Sequence, residues 1–344
     1  MTREPIVLIT GANGEVGHGL IEYFSAQEHI PDIVTLDLVP LDDTLMPLVK
    51  KHYTGNILDE ALLEEIHQQH EIHIIFHLAA LLSTSGEKKP GLAHDVNVNG
   101  TQKLLEMAIR ESETLGQSVK FIFPGSIASY GLPDLATKNS AGAVKEDEYL
   151  NPTTMYGINK LYCENLGRYY ANHYQQLSDE RNASIDFRSV RFPGLISAHT
   201  VPSGGTSDYG PEMIHAAAQG KAYECFVRPD ATLPFMVMPD AIQALIHLAE
   251  APRENLSRHV YNVTSFSLRA DEFAEIVREE FPDAEISYKA SAGRQRIVDS
   301  WAANVDDSVA KADWGWSPEY DLVAAFREYL FPIIREHYGM TQLS

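Results

Sequence analysis

A doubly wound α/β fold, with helices on both faces of a parallel sheet and a smaller C-terminal lobe covering the sheet's ligand edge, is predicted by three features. Short runs rich in Val, Ile, Leu and Phe alternate with longer stretches of helical periodicity. A glycine-rich turn joins the first run to the first helical stretch. The chain has 344 residues, more than the roughly 250–300 at which a single core stops growing, so a second lobe is expected.

The strand-like runs lie at 6–10, 33–37, 74–78, 120–124 and 185–192. Helical periodicity covers 14–25, 61–69, 97–115 and 154–174. Such alternation implies parallel strands joined by right-handed helical crossovers, with ligands held beyond the strand carboxyl ends. Residues 131–151, with several Gly, Pro, Asn and Asp, read as an exposed loop, and 196–212 as a second one. Beyond about 213 the pattern becomes mixed helix and short strand, the expected small lobe.

Composition narrows the partners. A net charge of -21 opposes binding to nucleic acid or an anionic membrane surface. The two cysteines, Cys163 and Cys225, are too few for a disulfide framework, so a reducing, cytoplasmic setting is expected. Met1-Thr2-Arg3-Glu4-Pro5 leads straight into a strand with no visible targeting segment, and the longest apolar run, near 72–82, is too short to span a bilayer. The 14 histidines show no HExxH-type spacing, so no metal is expected.

Gly11-Ala12-Asn13-Gly14-Glu15-Val16-Gly17 follows the first strand and opens the first helix. In that setting glycines permit a tight turn and bring a pyrophosphate close to helix N-terminal amides, whose dipole favours the anion. Asp37 closes the second strand, 20 residues after Gly17, where a carboxylate can accept from the adenosine ribose and would repel a 2′-phosphate. The expected cofactor is therefore NAD on a Rossmann-like domain. Asn56-Ile57 could meet the adenine, although an Asn in a turn explains them equally well. The domain is expected to span 1–195 with return segments near 237–263 and 300–312. The small substrate-binding lobe then takes mainly 196–236 and 264–344.

Tyr156 and Lys160, four apart in Tyr156-Gly157-Ile158-Asn159-Lys160, project from one helix face. A neighbouring ammonium is expected to lower the phenol from its usual pKa of about 10, making a base that could deprotonate an alcohol. Their bland reading is an amphipathic helix with a solvated lysine. Ser126, just past the run Phe121-Ile122-Phe123-Pro124-Gly125, would point into the ligand crevice; as a loop serine it could instead satisfy backbone groups.

In their order, Gly11, Gly14 and Gly17, Leu78-Ala79-Ala80, Asn97, Ser126, Tyr156 and Lys160 resemble the extended branch of the short-chain dehydrogenase/reductase superfamily. The resemblance implies that Tyr156 is the acid/base, that Lys160 lowers its pKa and holds the nicotinamide ribose, and that Ser126 orients the substrate oxygen. It also implies that Asn97 keeps a helix distortion and a water near the lysine; otherwise Asn97 reads as a capping or surface residue. Asn13, Glu15, Val16 and Leu78-Ala79-Ala80 would line the cofactor. Superfamily members often pair through the helices at 97–115 and 154–174, so a homodimer is expected.

Later blocks refine the resemblance. Arg191-Phe192-Pro193-Gly194 stands where sugar-nucleotide epimerases tend to carry Arg-Tyr-Phe-Asn. Ala80-Leu81-Leu82-Ser83 with Gly86-Glu87-Lys88, Gly194-Leu195-Ile196-Ser197, Gly204-Gly205-Thr206-Ser207-Asp208-Tyr209, Leu233-Pro234-Phe235, Asp299-Ser300-Trp301 and Asp313-Trp314-Gly315-Trp316 look like the short-chain L-threonine 3-dehydrogenases over nearly the whole chain. That implies oxidation of the L-threonine β-hydroxyl between Ser126 and Tyr156 to 2-amino-3-ketobutyrate. Ser83, Gly194 and Thr206 would lie at the amino acid; as loop hydroxyls Ser83 and Thr206 could equally serve turns. Phe192, Ser207, Val237 and Ala302 depart from the usual pattern, and the segments 131–151 and 175–183 look long. A related enzyme acting on a sugar nucleotide or another small hydroxy compound, and a non-catalytic NAD-binding protein, remain as alternatives.

Overall fold

A computed structural model describes residues 3–28, 31–178, 183–202 and 204–340. Ser203 of the second predicted loop and residues 179–182 of the 175–183 segment lie outside the described residues. The central sheet is built from β1 (Glu4–Thr10), β2 (Ile33–Asp37), β3 (Lys51–Thr54), β4 (His70–His77), β5 (Val119–Ser126), β6 (Ile185–Phe192) and β7 (Val260–Asn262). All pair in parallel, in the order β7-β6-β5-β4-β1-β2-β3. Because β1 has β2 on one side and β4 on the other, sheet growth reverses there, and a crevice opens beyond Thr10 and His77.

Alternate residues of each strand feed opposite cores. On one face α1 (Glu15–Ser25) and α5 (Met238–Glu250) bury Leu20, Ile21, Leu245 and Leu248 against Val7, Ile9, Ile122 and Val190. On the other, α2 (Glu60–Gln69), α3 (Gly100–Leu115) and α4 (Met155–Asn172) pack Ile66, Leu104, Leu105 and Cys163 against Leu8, Ile75, Phe121 and Phe187. Asp59 caps α2 by accepting from the backbone of Ala61 and Leu62. At the other end of the cover, Arg188 donates to the carbonyls of Leu248 and Ala251, and Lys120 to that of Ala249, so two cations satisfy the orphan carbonyls closing α5. A third core, with Ile196, Met213, Phe235, Phe273, Trp301 and Phe326, forms the small lobe and also takes in Ile127, Ala128, Tyr130 and Val144.

The segment 131–151 is largely exposed, as its composition predicts, but it is not a structureless loop. It carries a helix at Leu135–Ser140 and a strand at Ala143–Val144 paired with Asn304–Val305, and Leu132, Lys138, Val144 and Glu146 are buried. Its polar groups find partners far along the chain. Lys138 donates to the Val298 carbonyl at 2.7 Å, while Glu146 pairs with Arg258 at 2.7 Å and accepts from the Asn262 backbone at 3.1 Å.

Candidate active site

The glycine loop is shaped by close packing. Gly11 has φ +70°, and a Cβ there would come within 2.5 Å of the Ala79 nitrogen; one on Gly17 would come within 2.3 Å of the Ala12 oxygen. These two positions therefore require glycine, one for backbone conformation and one for helix-to-loop contact. Gly14 starts α1 with no side chain capping it, which leaves first-turn N–H groups pointing at the crevice beside Glu15 and Val16. Leu78 donates from its backbone to the Thr10 carbonyl, so Leu78, Ala79 and Ala80 leave β4 directly beside the loop.

Asp37 ends β2 and accepts from the backbone of Asn13 at 2.9 Å and of Val39 at 3.3 Å. The carboxylate is thereby tied to the loop and held at the rim. Asn56 accepts from the Leu58 backbone at 2.9 Å, forming its own turn, and Ile57 is buried against the start of α3, where a Cβ on Gly100 would meet it. An uncapped helix end, a glycine turn and an acidic strand end are a donor and acceptor set that fits a dinucleotide.

β5 ends at Ser126, whose hydroxyl accepts from the Ala128 backbone at 3.1 Å and hydrogen-bonds the Tyr156 phenol. Thr154 caps α4 by accepting from Gly157 at 3.0 Å, and Glu87 accepts from the Met155 backbone at 2.7 Å. The helix presses on the turn Ile127–Ser129, with Gly157 against the Ala128 carbonyl. Lys160 is buried, donates to the Pro124 carbonyl at 2.6 Å and lies 4.5 Å from the Phe123 ring centroid and 5.5 Å from that of Tyr156. Ser126, Tyr156 and Lys160 thus converge at the carboxyl end of β5.

The expected lowering of the phenol is not found. Burial pushes Tyr156 up to about 12 against the opposing effect of the Ser126 hydroxyl, and burial brings Lys160 down to about 8. The physical reason is that the ammonium faces a carbonyl and a ring while the phenolate would bear the full desolvation cost.

Asn97 is neither a cap nor a surface residue. It is buried in a π-helical turn, Asp95–Asn99, and its amide clasps Leu81, accepting from its N–H at 2.7 Å and donating to its carbonyl at 3.0 Å. The distortion implied by the resemblance is present. The Asn97 carbonyl accepts from Thr101 at 2.6 Å and from the Cys163 thiol at 3.2 Å.

Sequence reasoning missed His77, whose position directly before Leu78-Ala79-Ala80 was the available signal. It lies 2.9 Å from the Thr101 hydroxyl through Nε2 and 2.8 Å from that of Thr10 through Nδ1. Thr101 gives its proton to Asn97, so the imidazole must donate through Nε2 and accept at Nδ1. Burial, with Lys160 nearby, holds it down to about 3, so it is neutral. Glu164, one turn beyond Lys160, was also missed; it forms a buried pair with Arg191 at 2.6 Å.

On the opposite wall Ser83 and Thr206, both buried and 123 residues apart, meet hydroxyl to hydroxyl at 3.1 Å. Ser83 opens the short helix Ser83–Lys88, where a Cβ on Gly86 would stand 3.9 Å from that of Tyr156. Gly194 is a packing position: a Cβ there would fall 2.8 Å from Phe235 and 3.1 Å from Ser207. Val237 and Ala302 are fully buried in the small-lobe core, so these departures lie in packing. Among the described residues no cluster of three or more His, Cys, Asp or Glu could hold a metal, and no helix is long and apolar enough to cross a membrane.

The profile of the NAD dependent epimerase/dehydratase family matches residues 7–264. The mitochondrial L-threonine 3-dehydrogenase of Bos taurus is 33% identical over 323 residues, 92% of this chain and 79% of that protein. Among solved structures, L-threonine 3-dehydrogenase from Trypanosoma brucei is 33% identical with a TM-score of 0.84, over 98% of this chain and 99% of its own. A monomeric L-threonine 3-dehydrogenase from a metagenome is 34% identical with a TM-score of 0.83, over 97% and 100%.

Proposed function

The chain belongs to the NAD dependent epimerase/dehydratase family, and we propose that it oxidises the β-hydroxyl of L-threonine to 2-amino-3-ketobutyrate with NAD. The observation that carries this reading is the convergence of Ser126, Tyr156 and Lys160 beside the dinucleotide crevice. Threonine is the substrate after which relatives a third identical over nearly the whole chain are named.

NAD, when bound, takes up the hydride from the β-carbon. Tyr156 takes the hydroxyl proton as the carbon–oxygen double bond forms, and Ser126 holds that oxygen. Lys160 and Asn97 fix the phenol's surroundings, Lys160 also holding the nicotinamide ribose. Gly11, Asn13, Gly14, Glu15, Val16 and Gly17 cradle the pyrophosphate, Asp37 takes the adenosine ribose, Asn56 and Ile57 border the adenine, and Leu78, Ala79 and Ala80 line the crevice. Ser83 and Thr206 receive the carboxylate and ammonium, with Gly194 allowing the strand behind them to approach.

A division at about 195, with a return segment near 237–263, parts the NAD-binding domain from the substrate lobe in this reading; of the segment 300–312, Trp301, Ala302 and Val305 pack in the small-lobe core and Ala310 against the sheet. A cytoplasmic setting is part of this reading, supported by the unpaired, buried Cys163 and Cys225. The enzyme is a homodimer built on α3 and α4, a reading supported by Ile158, Tyr162 and Tyr169, which stand 48%, 51% and 41% exposed on α4. The test of function is NADH formation from L-threonine, D-threonine, L-serine and 3-hydroxybutyrate, with NAD and NADP in separate runs. Turnover of a UDP- or GDP-sugar without net NADH, and none of threonine, would replace the dehydrogenase by an epimerase.

A further inference from the structure

Two donors from opposite sides of the cleft meet on one carbonyl. The Gly204 oxygen accepts from the Thr84 hydroxyl at 2.9 Å, on the helix Ser83–Lys88, and from Arg294 Nη2 at 3.1 Å, on the small-lobe helix Ala292–Ser300. At the same turn Asp208 accepts from the backbone of Gly204 at 3.0 Å and of Gly205 at 2.6 Å. Donor and acceptor groups of the turn are therefore both fixed, and Gly204 takes the φ of +92° that the arrangement requires.

Arg294 is itself held. Its guanidinium lies 4.1 Å over the Phe226 ring, and the Phe226 carbonyl accepts from Ser291, at the base of the same helix, at 2.8 Å. Its guanidinium meets the Gly204 carbonyl and the Phe226 ring. Its reach is to the turn that carries Thr206, whose hydroxyl meets Ser83 at 3.1 Å.

We propose that Arg294 is a positioning residue for substrate binding: together with Thr84 it fixes Gly204-Gly205-Thr206 so that the Thr206 hydroxyl stands beside Ser83, ready for the amino acid. This rests on the threonine dehydrogenase reading. Loss of a charged hydrogen bond to a half-buried carbonyl frees the turn and weakens substrate binding, while the proton and hydride steps keep their geometry.

Arg294→Met keeps an aliphatic stem over Phe226 and removes the charge and donors; Arg294→Lys keeps the charge and a donor. With the full chain and saturating NAD, Arg294→Met should raise the KM for L-threonine about ten- to hundredfold, with kcat within about threefold and NAD affinity unchanged. Arg294→Lys should recover most of the loss, and Thr84→Val should shift KM in the same direction by less. An unchanged KM in a normally folded Arg294→Met overturns the proposal. So does a joint fall in kcat, NAD affinity and melting temperature in both Arg294 variants, which would mark a residue of the fold. Should Arg294→Met fail to fold, Thr84→Val decides by the same KM criterion. Absence of threonine turnover by the unaltered protein sinks the functional reading instead, and the variants are then scored on whichever hydroxy compound the screen identifies.

Discussion

Gly157 lies so close to Ala128 that a Cβ on it would come within 2.0 Å of the Ala128 carbonyl oxygen. The missing side chain sets how deeply α4 seats on the turn following Ser126, and hence where the phenol stands. Gly157→Ala must push the helix outward. Since a displacement of about 1 Å can cost on the order of a hundredfold in rate, kcat/KM for the oxidation should fall by about that factor while NAD titration stays normal. Full retained activity would show that this contact does not set the Ser126–Tyr156 distance.

Tyr156→Phe should remove about 10²- to 10⁴-fold of the rate and leave NAD binding intact. The pH dependence follows from the same pair. Tyr156 acts as a base only when unprotonated, so kcat/KM should climb with pH through neutrality, its phenol lying near about 12 before ligands bind. Lys160 helps only while charged, and burial places its loss of charge near about 8. The climb should therefore flatten near that pH. A profile that falls steadily with rising pH excludes Tyr156 as the base.

His77 ties stability to acidity. Its folded pKa of about 3 lies below the ordinary 6.5, so between these values the unfolded chain holds a proton that the native one does not. Its contribution is complete above 6.5 and is lost as pH falls towards about 3, at up to roughly 1.4 kcal/mol per pH unit. Chemical denaturation across that window should show a shallower acid slope for His77→Gln than for the unaltered protein. Identical slopes would mean the imidazole does not titrate in this way.

At the cofactor rim, Asp37 holds the Asn13 and Val39 backbones and sets a carboxylate at the end of β2. Asp37→Ser should reduce the preference for NAD over NADP, as the ratio of kcat/KM values, by at least about tenfold. An unaltered ratio would assign cofactor choice elsewhere.

The exposed aromatic face of α4 gives a prediction on assembly. Tyr162→Glu places a charge where the side chain is 51% exposed, at a position a second copy would cover. Sedimentation should give a dimer for the unaltered chain and a monomer for the variant. A monomer in both ends the proposal.

The central strands were legible because a parallel strand buried on both faces reads as an apolar run, as in Ile6-Val7-Leu8-Ile9 and Phe121-Ile122-Phe123. Lys51–Thr54 escaped because an edge strand with one wet face keeps Lys51 and His52, and Val260–Asn262 because three residues carry no period. Ser126, Tyr156 and Lys160 were legible by residue type and order. The rise of the phenol was not, since it comes from what surrounds Tyr156 in space. Segment 131–151 misled for the same reason: Lys138 and Glu146 look solvated until Val298, Arg258 and Asn262 are brought beside them.

β7 and α5 reach the nucleotide-binding sheet only after the first elements of the small lobe have been laid down, with Gly194–Ile196 and Thr232–Val237 preceding both. During synthesis, the apolar face of Val7, Ile9, Ile122 and Val190 has α1 early but waits for the other half of its cover until the chain has passed residue 250. A fragment ended at 195 would leave that half open and should aggregate. A single cut at 195 therefore parts the sheet from both β7 and α5.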